Sequence, residues 1–183
     1  MRTLILMFIL ASWLDAQSFQ RNDITFSGGM SWSVGGNFQG DATPVSLGAT
    51  YGHRVTPSIE LEAGVFGAIK PVKVTCGYNG CFTPDSGFVW VPFGVRLLLP
   101  LRRDRFEVSG GAGGLYENFR NYGTSAYSGF GAYVKASAAV AIDRHRHFWL
   151  GATPRIMIAN GIGSGRYARD RWFMLSADFG FRF

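Results

Sequence analysis

The sequence lacks any apolar run as long as the roughly 18 residues that a membrane-spanning helix needs. Its 183 residues are nonetheless 47% hydrophobic, and only 16% are charged. The one continuous apolar stretch, residues 4–14, follows Arg2 and precedes Asp15-Ala16-Gln17. A charged start, a short apolar core and a small exit residue are typical of a secretory signal peptide. We predict a signal peptide over residues 1–16 and one mature domain over 17–183; a buried N-terminal helix is the alternative.

A concentrated patch of basic charge is also missing. The chain has 18 lysine and arginine residues against 12 aspartate and glutamate residues, a formal net charge of +6. Proteins that bind nucleic acid gather such charge on one face or along one helix. Here the basic residues are dispersed among the predicted strands and turns, so we expect no nucleic-acid partner.

Histidine is scarce, which limits catalytic and metal-binding chemistry. The three histidines are His53, His145 and His147. Nucleophilic catalysis requires a nucleophile, a base and an orienting group in one pocket, and a zinc site requires at least three protein ligands. These histidines fall near one end of the predicted strands and complete neither set. We therefore predict that the chain is not an enzyme and holds no metal or cofactor.

Only two cysteines are present, Cys76 and Cys81, in the segment Cys-Gly-Tyr-Asn-Gly-Cys. Outside the cytoplasm, two nearby thiols usually form a disulfide. A metal site would need two further ligands, and this segment contains no histidine. We predict a disulfide that pins a loop tip; a metal site and free thiols are the alternatives.

What the sequence does contain is alternation. Hydrophobic residues alternate with polar or small ones in eight segments, which predicts eight β-strands. Each has about the length of a tilted membrane strand, roughly 9 to 11 residues. The segments are 23–34, 44–55, 59–70, 88–99, 106–116, 130–141, 148–158 and 173–183. Three short connections, at 56–58, 100–105 and 143–147, alternate with four long ones, at 35–43, 71–87, 117–129 and 159–170.

The last segment is apolar on one face, and the chain stops on an aromatic residue. Phe179, Phe181 and Phe183 share that face, while Asp178 and Arg182 lie on the other. This pattern resembles the closing strand of small eight-stranded bacterial outer-membrane β-barrels of the OmpA transmembrane, OmpX and OmpW type. The resemblance implies an all-β, antiparallel, up-and-down transmembrane barrel. It also implies that the insertion machinery of the outer membrane reads the three phenylalanines.

The face that points outward is the aliphatic one, because it carries almost no charge and its aromatic residues collect at the strand ends. Aromatic girdles at two interfaces are typical of barrels in lipid. We expect contact with outer-membrane lipid and lipopolysaccharide, long connections outside the cell and both termini in the periplasm. A water-soluble, lipocalin-type barrel with inverted faces is the alternative.

The inward face carries charges that must pair, because an isolated buried ion costs several kcal/mol. We predict an ionic network in the lumen of Arg54, Glu60, Glu62, Arg96, Glu107, Lys135, Arg155, Asp178 and Arg182. Such a network would act as a rigid plug; a gated ion path or a proton relay is the alternative.

Toward the external mouth the inward residues become apolar. These residues could form a cup that receives a small hydrophobic ligand: Phe66, Phe88, Trp90, Tyr133, Met157, Trp172 and Met174. Pro92 and Pro154 lie in mid-strand, where they weaken pairing and could create a lateral exit. We favour the alternative, in which the aromatic side chains fill the top of the lumen and the prolines occupy tolerated bulges.

These patterns favour an integral outer-membrane barrel with a structural, loop-presenting role in the envelope. Passive uptake of small hydrophobic compounds through the cup is the second hypothesis, as the resemblance to OmpW-type proteins implies. The third is adhesion or receptor binding through aromatic loop residues such as Tyr122, Tyr127 and Tyr167.

Overall fold

Eight antiparallel strands close into a barrel in a computed structural model that describes residues 20–35, 45–69, 75–77, 80–82, 86–101, 105–121, 124–163 and 166–183. The strands are β1 (Asn22–Gly35), β2 (Val45–Thr56), β3 (Ile59–Ile69), β4 (Thr75–Gly77), β5 (Gly80–Phe82), β6 (Ser86–Leu101), β7 (Phe106–Asn121), β8 (Thr124–Ala141), β9 (Phe148–Gly163) and β10 (Arg166–Arg182). The order around the barrel is β1-β10-β9-β8-β7-β6-β3-β2, so each barrel strand pairs with the barrel strands before and after it in the chain, and β1 pairs with β10. This confirms the predicted fold class; the predicted signal peptide lies outside the described residues.

The barrel closes where its first and last strands meet. Asp23 pairs with Arg182, and the amide of Phe183 donates to the carbonyl of Asn22 at 2.9 Å. Both ends of the described chain therefore lie at one rim, together with the connections at 57–58 and 142–147. We call this the terminal rim and the opposite one the distal rim. In the described ranges, no helix is long and apolar enough to cross a membrane.

Side chains alternate between a hydrophobic outer surface and a mixed interior, as the period of two requires. Large apolar residues stand exposed on the outside, with Leu47 at 65% and Phe130 at 70% of their full accessible area. Charged and aromatic residues such as Glu60 and Trp90 are fully buried inside. An exposed apolar band of this extent fits lipid as the surrounding medium.

Four strands extend further toward the distal rim than the sequence predicted. β7 continues to Asn121 and β8 begins at Thr124, while β9 continues to Gly163 and β10 begins at Arg166. The prediction of long loops over 117–129 and 159–170 was therefore wrong. Beyond the apolar band both strand faces carry polar residues, so the hydrophobic period fades although the hydrogen-bonded ladder continues.

Proline interrupts the barrel wall in two places. Pairing between β3 and β6 passes from Ala63–Phe93 to Phe66–Trp90 without a pair at Pro92. Pairing between β8 and β9 likewise passes from Lys135–Arg155 to Ala138–Ala152, omitting Pro154. Each interruption follows from the missing amide hydrogen of proline, which cannot donate to one neighbouring strand.

The two cysteines belong to a small hairpin in the connection between β3 and β6. Its strands β4 and β5 form a separate two-stranded sheet in which the backbone of Cys76 lies directly opposite that of Cys81. This register brings the two positions together, and the disulfide between them remains a prediction.

Candidate functional site

An ion cluster closes the lumen at the terminal rim, and Glu107 is its centre. The Glu107 carboxylate accepts from Arg182 Nη2 at 2.6 Å, from Arg96 Nη2 at 3.1 Å and from Arg54 Nη2 at 3.3 Å. β2, β6, β7 and β10 supply these four side chains. One carboxylate therefore ties together strands that lie on different sides of the barrel.

Two further carboxylates complete this basal ion cluster. Glu60 accepts from Arg96 at 3.2 Å and from Arg54 at 3.3 Å. Asp23, which the predicted network omitted, lies 3.5 Å from Arg96 Nη1 and 3.8 Å from Arg182 Nε. Three acids thus face three arginines, and the charges balance.

Gly52 makes room for these carboxylates. A Cβ atom at this position would lie 2.5 Å from Glu60 Oε1 and 2.7 Å from Asp23 Oδ1, both closer than van der Waals contact. The small residue on β2 is therefore required by the close approach of the ion cluster.

Glu62 and Lys135 form a separate pair above the basal ion cluster. Lys135 Nζ lies 2.5 Å from Glu62 Oε2, and the Tyr133 hydroxyl donates to Glu62 Oε1 at 2.7 Å. Tyr133, a predicted cup residue, therefore connects the aromatic region above to the ionic region below.

Arg155 and Asp178, also predicted network residues, form no ion pair with any residue that the structure describes. The guanidinium of Arg155 lies over the ring of Phe66 at 4.1 Å, and its Nη1 is 3.2 Å from the sulfur of Met174. Asp178 accepts hydrogen bonds from the hydroxyls of Ser176 and Thr153. The nine predicted residues are thus divided among the basal cluster, the Glu62–Lys135 pair and these two.

A small polar chamber of about 40 Å³ lies between the basal ion cluster and the aromatic region. Hydroxyl-bearing side chains, including Ser27, Thr50, Ser137 and Thr153, line it together with Lys135, Arg155 and Asp178. Since a cavity needs about 10 to 15 Å³ for each buried water, the chamber has room for about three waters. It is too small for an organic substrate.

An aromatic plug fills the lumen above the chamber. The rings of Phe88 and Trp172 are 4.6 Å apart between centroids, those of Trp90 and Trp172 are 5.3 Å apart, and Phe119 lies 4.6 Å from Phe88. All seven predicted cup residues are at most 2% exposed. They belong to one cluster of buried side chains, so they occupy the space that an empty cup would have offered.

Two buried carboxyl groups lie within the aromatic plug, and the sequence prediction missed both. Trp90 Nε1 donates to Glu117 Oε2 at 2.6 Å, and Asp170 neighbours Glu117. Neither residue is exposed to solvent. The signal for Glu117 was the inward series Gly113, Leu115 and Glu117, which continues the period of β7 into the segment that had been assigned to a loop.

The lumen therefore contains two barriers in series, the basal ion cluster and the aromatic plug. In the part of the chain that the structure describes, no group of three or more His, Cys, Asp or Glu side chains is placed to hold a metal ion. The arrangement can seal a membrane-spanning barrel, and this is the chemistry that its residues support most directly.

The three phenylalanines of the predicted insertion signal lie on the outer surface of β10 and just beyond its end. Phe179, Phe181 and Phe183 are all exposed, and the rings of Phe181 and Phe183 are 5.6 Å apart. Phe148 on β9 adds a ring 5.2 Å from Phe181. Together they form part of an aromatic girdle at the terminal rim.

No protein-family model and no curated protein matches the sequence. Solved structures do resemble the fold. Neisserial surface protein A matches with a TM-score of 0.65 and 14% identity, over 88% of this chain and 96% of that chain. The outer membrane protein OprG from Pseudomonas aeruginosa matches with a TM-score of 0.60 and 14% identity, over 92% and 99%.

Ail, the attachment invasion locus protein of Yersinia pestis, also matches, with a TM-score of 0.53 and 12% identity over 89% of this chain and 100% of that chain. At these identities the likeness concerns the fold alone. The chain has the fold of small eight-stranded outer-membrane barrels.

Proposed function

We propose that the chain is a sealed, integral outer-membrane barrel that contributes to envelope structure and presents its distal connections at the cell surface. Both termini would then lie in the periplasm, and the exposed Phe179, Phe181 and Phe183 would be available to the insertion machinery. The observation that carries this proposal is the pair of barriers in the lumen. An open route for solutes would require both the basal ion cluster and the aromatic plug to come apart.

The proposal predicts that the inserted barrel does not conduct ions. We expect the wild type to give no current steps in a planar lipid bilayer, and Trp90→Ala plus Trp172→Ala to give none either, because the basal ion cluster still blocks the lumen. Gel mobility that differs between unheated and heated samples verifies that each protein is folded and inserted. Regular current steps from the wild type would contradict the sealed barrel.

A second candidate function is the passage of small hydrophobic compounds, and the interruption at Pro92 favours it. The neighbouring pair on β3 and β6, Phe66 and Trp90, belongs to the aromatic plug. A compound that displaced the plug could leave sideways into lipid between these strands, where a hydrogen bond is already missing.

The test of this route uses the two prolines as a matched pair. Pro92→Ala restores an amide donor beside the plug, whereas Pro154→Ala restores one beside the polar chamber. If the route exists, proteoliposomes with Pro92→Ala, or with Trp90→Arg plus Trp172→Arg, take up a hydrophobic fluorescent probe more slowly than wild type. Pro154→Ala retains the wild-type rate. Equal uptake by all four proteins excludes the route.

A further inference from the structure

A groove runs along the outer wall of the barrel beside the terminal rim. It encloses about 430 Å³ and is lined mainly by apolar side chains of β6 to β9. Its lining includes the small residues Ala138 and Ala152 and the larger residues Leu101, Phe106 and Leu150. The groove therefore lies on the surface that faces hydrocarbon and begins at the girdle that marks the membrane interface.

The groove follows from the small residues that the sequence places on two neighbouring strands. Ala138 and Ala152 pair directly across β8 and β9, and the next two positions toward the distal rim are unpaired at Pro154. Both alanines point outward and are exposed. Because two small side chains stand side by side there, the outer surface is lower at this place than where large residues such as Phe130 and Leu47 project from it.

Two exposed arginines, Arg105 and Arg144, belong to the connections that adjoin the strands lining the groove. Arg105 directly precedes Phe106, and its carbonyl accepts from the amide of Ala141 at 2.9 Å, which fixes it beside the end of β8. Arg144 lies in the turn that joins β8 to β9. The one carboxylate in this turn, Asp143, is occupied by the amides of His147 and Phe148 at 3.1 and 2.9 Å.

We propose that this groove binds one acyl chain of an anionic phospholipid whose phosphate lies against Arg105 and Arg144. The inference rests on the proposed insertion of the barrel in a membrane. An apolar groove with two cations in the adjoining connections matches the two parts of such a lipid, because each surface arginine contributes about 1 kcal/mol toward an anionic head group. A second copy of the chain fits less well. Its convex wall cannot enter the groove, and its own Arg105 and Arg144 would repel those of the first copy.

The test compares lipid retention by folded protein from a mixture of phosphatidylglycerol and phosphatidylethanolamine, measured by native mass spectrometry. We expect wild type to keep one phosphatidylglycerol. Ala138→Leu plus Ala152→Leu should lower retention about tenfold or more, because displacing two methylenes costs about 1.6 kcal/mol. Arg105→Gln should lower the preference for phosphatidylglycerol about fivefold. Ala63→Leu, an outward alanine on β3, is the control and keeps wild-type retention.

The possible results separate this inference from the proposed function. The wild type and the Ala138→Leu plus Ala152→Leu variant are each verified as folded by a gel mobility that changes on heating. If the two retain lipid equally, the lipid site is overturned and the membrane barrel still stands. The lipid site is also overturned if the wild type forms a lipid-free dimer and the Ala138→Leu plus Ala152→Leu variant is monomeric, since the groove then binds a second copy. Wild type that does not insert into bilayers at all overturns the proposed function itself.

Discussion

Glu107, like Arg96, contacts three oppositely charged side chains of the basal ion cluster. It is 4% exposed and meets three arginines from three different strands. Removing one partner of a buried ion pair costs about 3 to 5 kcal/mol, because the remaining charges lose their compensation in a medium of low dielectric constant.

We therefore predict that Glu107→Gln lowers the free energy of unfolding by about 3 to 5 kcal/mol in urea titrations of the protein in lipid vesicles. Asp178→Asn is the matched control, because that carboxylate accepts from hydroxyl groups and forms no ion pair with a described residue. Its loss should cost about 1 to 2 kcal/mol. If the two variants lose equal stability, the basal ion cluster does not have the role assigned to it.

Alternation located most of the interior residues but gave no information about which of them pair. The inward period placed Glu60, Arg96 and Glu107 in the lumen, where they do meet. It could not assign Asp23 to the lumen, because an acid at the start of a strand has the same sequence pattern whether it is buried or exposed to solvent. Pairing depends on strand tilt and on the stagger of one strand against the next, and a period of two records neither.

At the scale of whole strands, sequence patterning found the apolar band and missed what extends beyond it. β7 and β10 leave the band near Tyr116 and Phe173 and continue as paired strands to Asn121 and back to Arg166. Outside lipid, hydrogen bonding to the neighbouring strand is enough to keep a strand, whichever side chains it carries. The buried Glu117 and Asp170 lie in these extensions, and this is why the aromatic plug was predicted to be purely apolar.

The turn between β8 and β9 illustrates how a short connection is held. Desolvation tends to raise the pKa of Asp143, but hydrogen bonds from the amides of Phe148 and His147 lower it below the usual value of 3.8. A lowered pKa in the folded state means that the carboxylate stabilises the fold above its unfolded pKa. That contribution is lost as the pH falls through the folded pKa.

We predict that Asp143→Ala lowers the urea midpoint relative to wild type at pH 7 and that the difference shrinks as the pH falls below about 3.8. The measurement is a pair of urea titrations in lipid vesicles at each pH, so that titration of the other carboxylates cancels between the two proteins. A difference that stays constant down to pH 2.5 would show that the charge of Asp143 does not hold the turn.

In the whole molecule, side chains are divided between an apolar outer surface and an interior of ions and aromatic rings. Phe26, Leu47, Phe93 and Phe130 stand on the outer surface of the barrel, while the ions and the tryptophans of the plug lie within it. The sequence predicted which strand faces point outward, and it predicted the number and order of the barrel strands. It could do so because a closed antiparallel meander admits few other arrangements of eight alternating segments. The state of the lumen did not follow, because packing is a property of the assembled barrel.

Folding of residues 17–183 with and without lipid tests this division most directly. The account predicts that the denatured chain, diluted into phospholipid vesicles, acquires β-structure and a gel mobility that changes on heating, and that it aggregates in detergent-free buffer. A folded, monodisperse monomer in plain buffer would contradict the account, because the apolar surface would then have to lie inside.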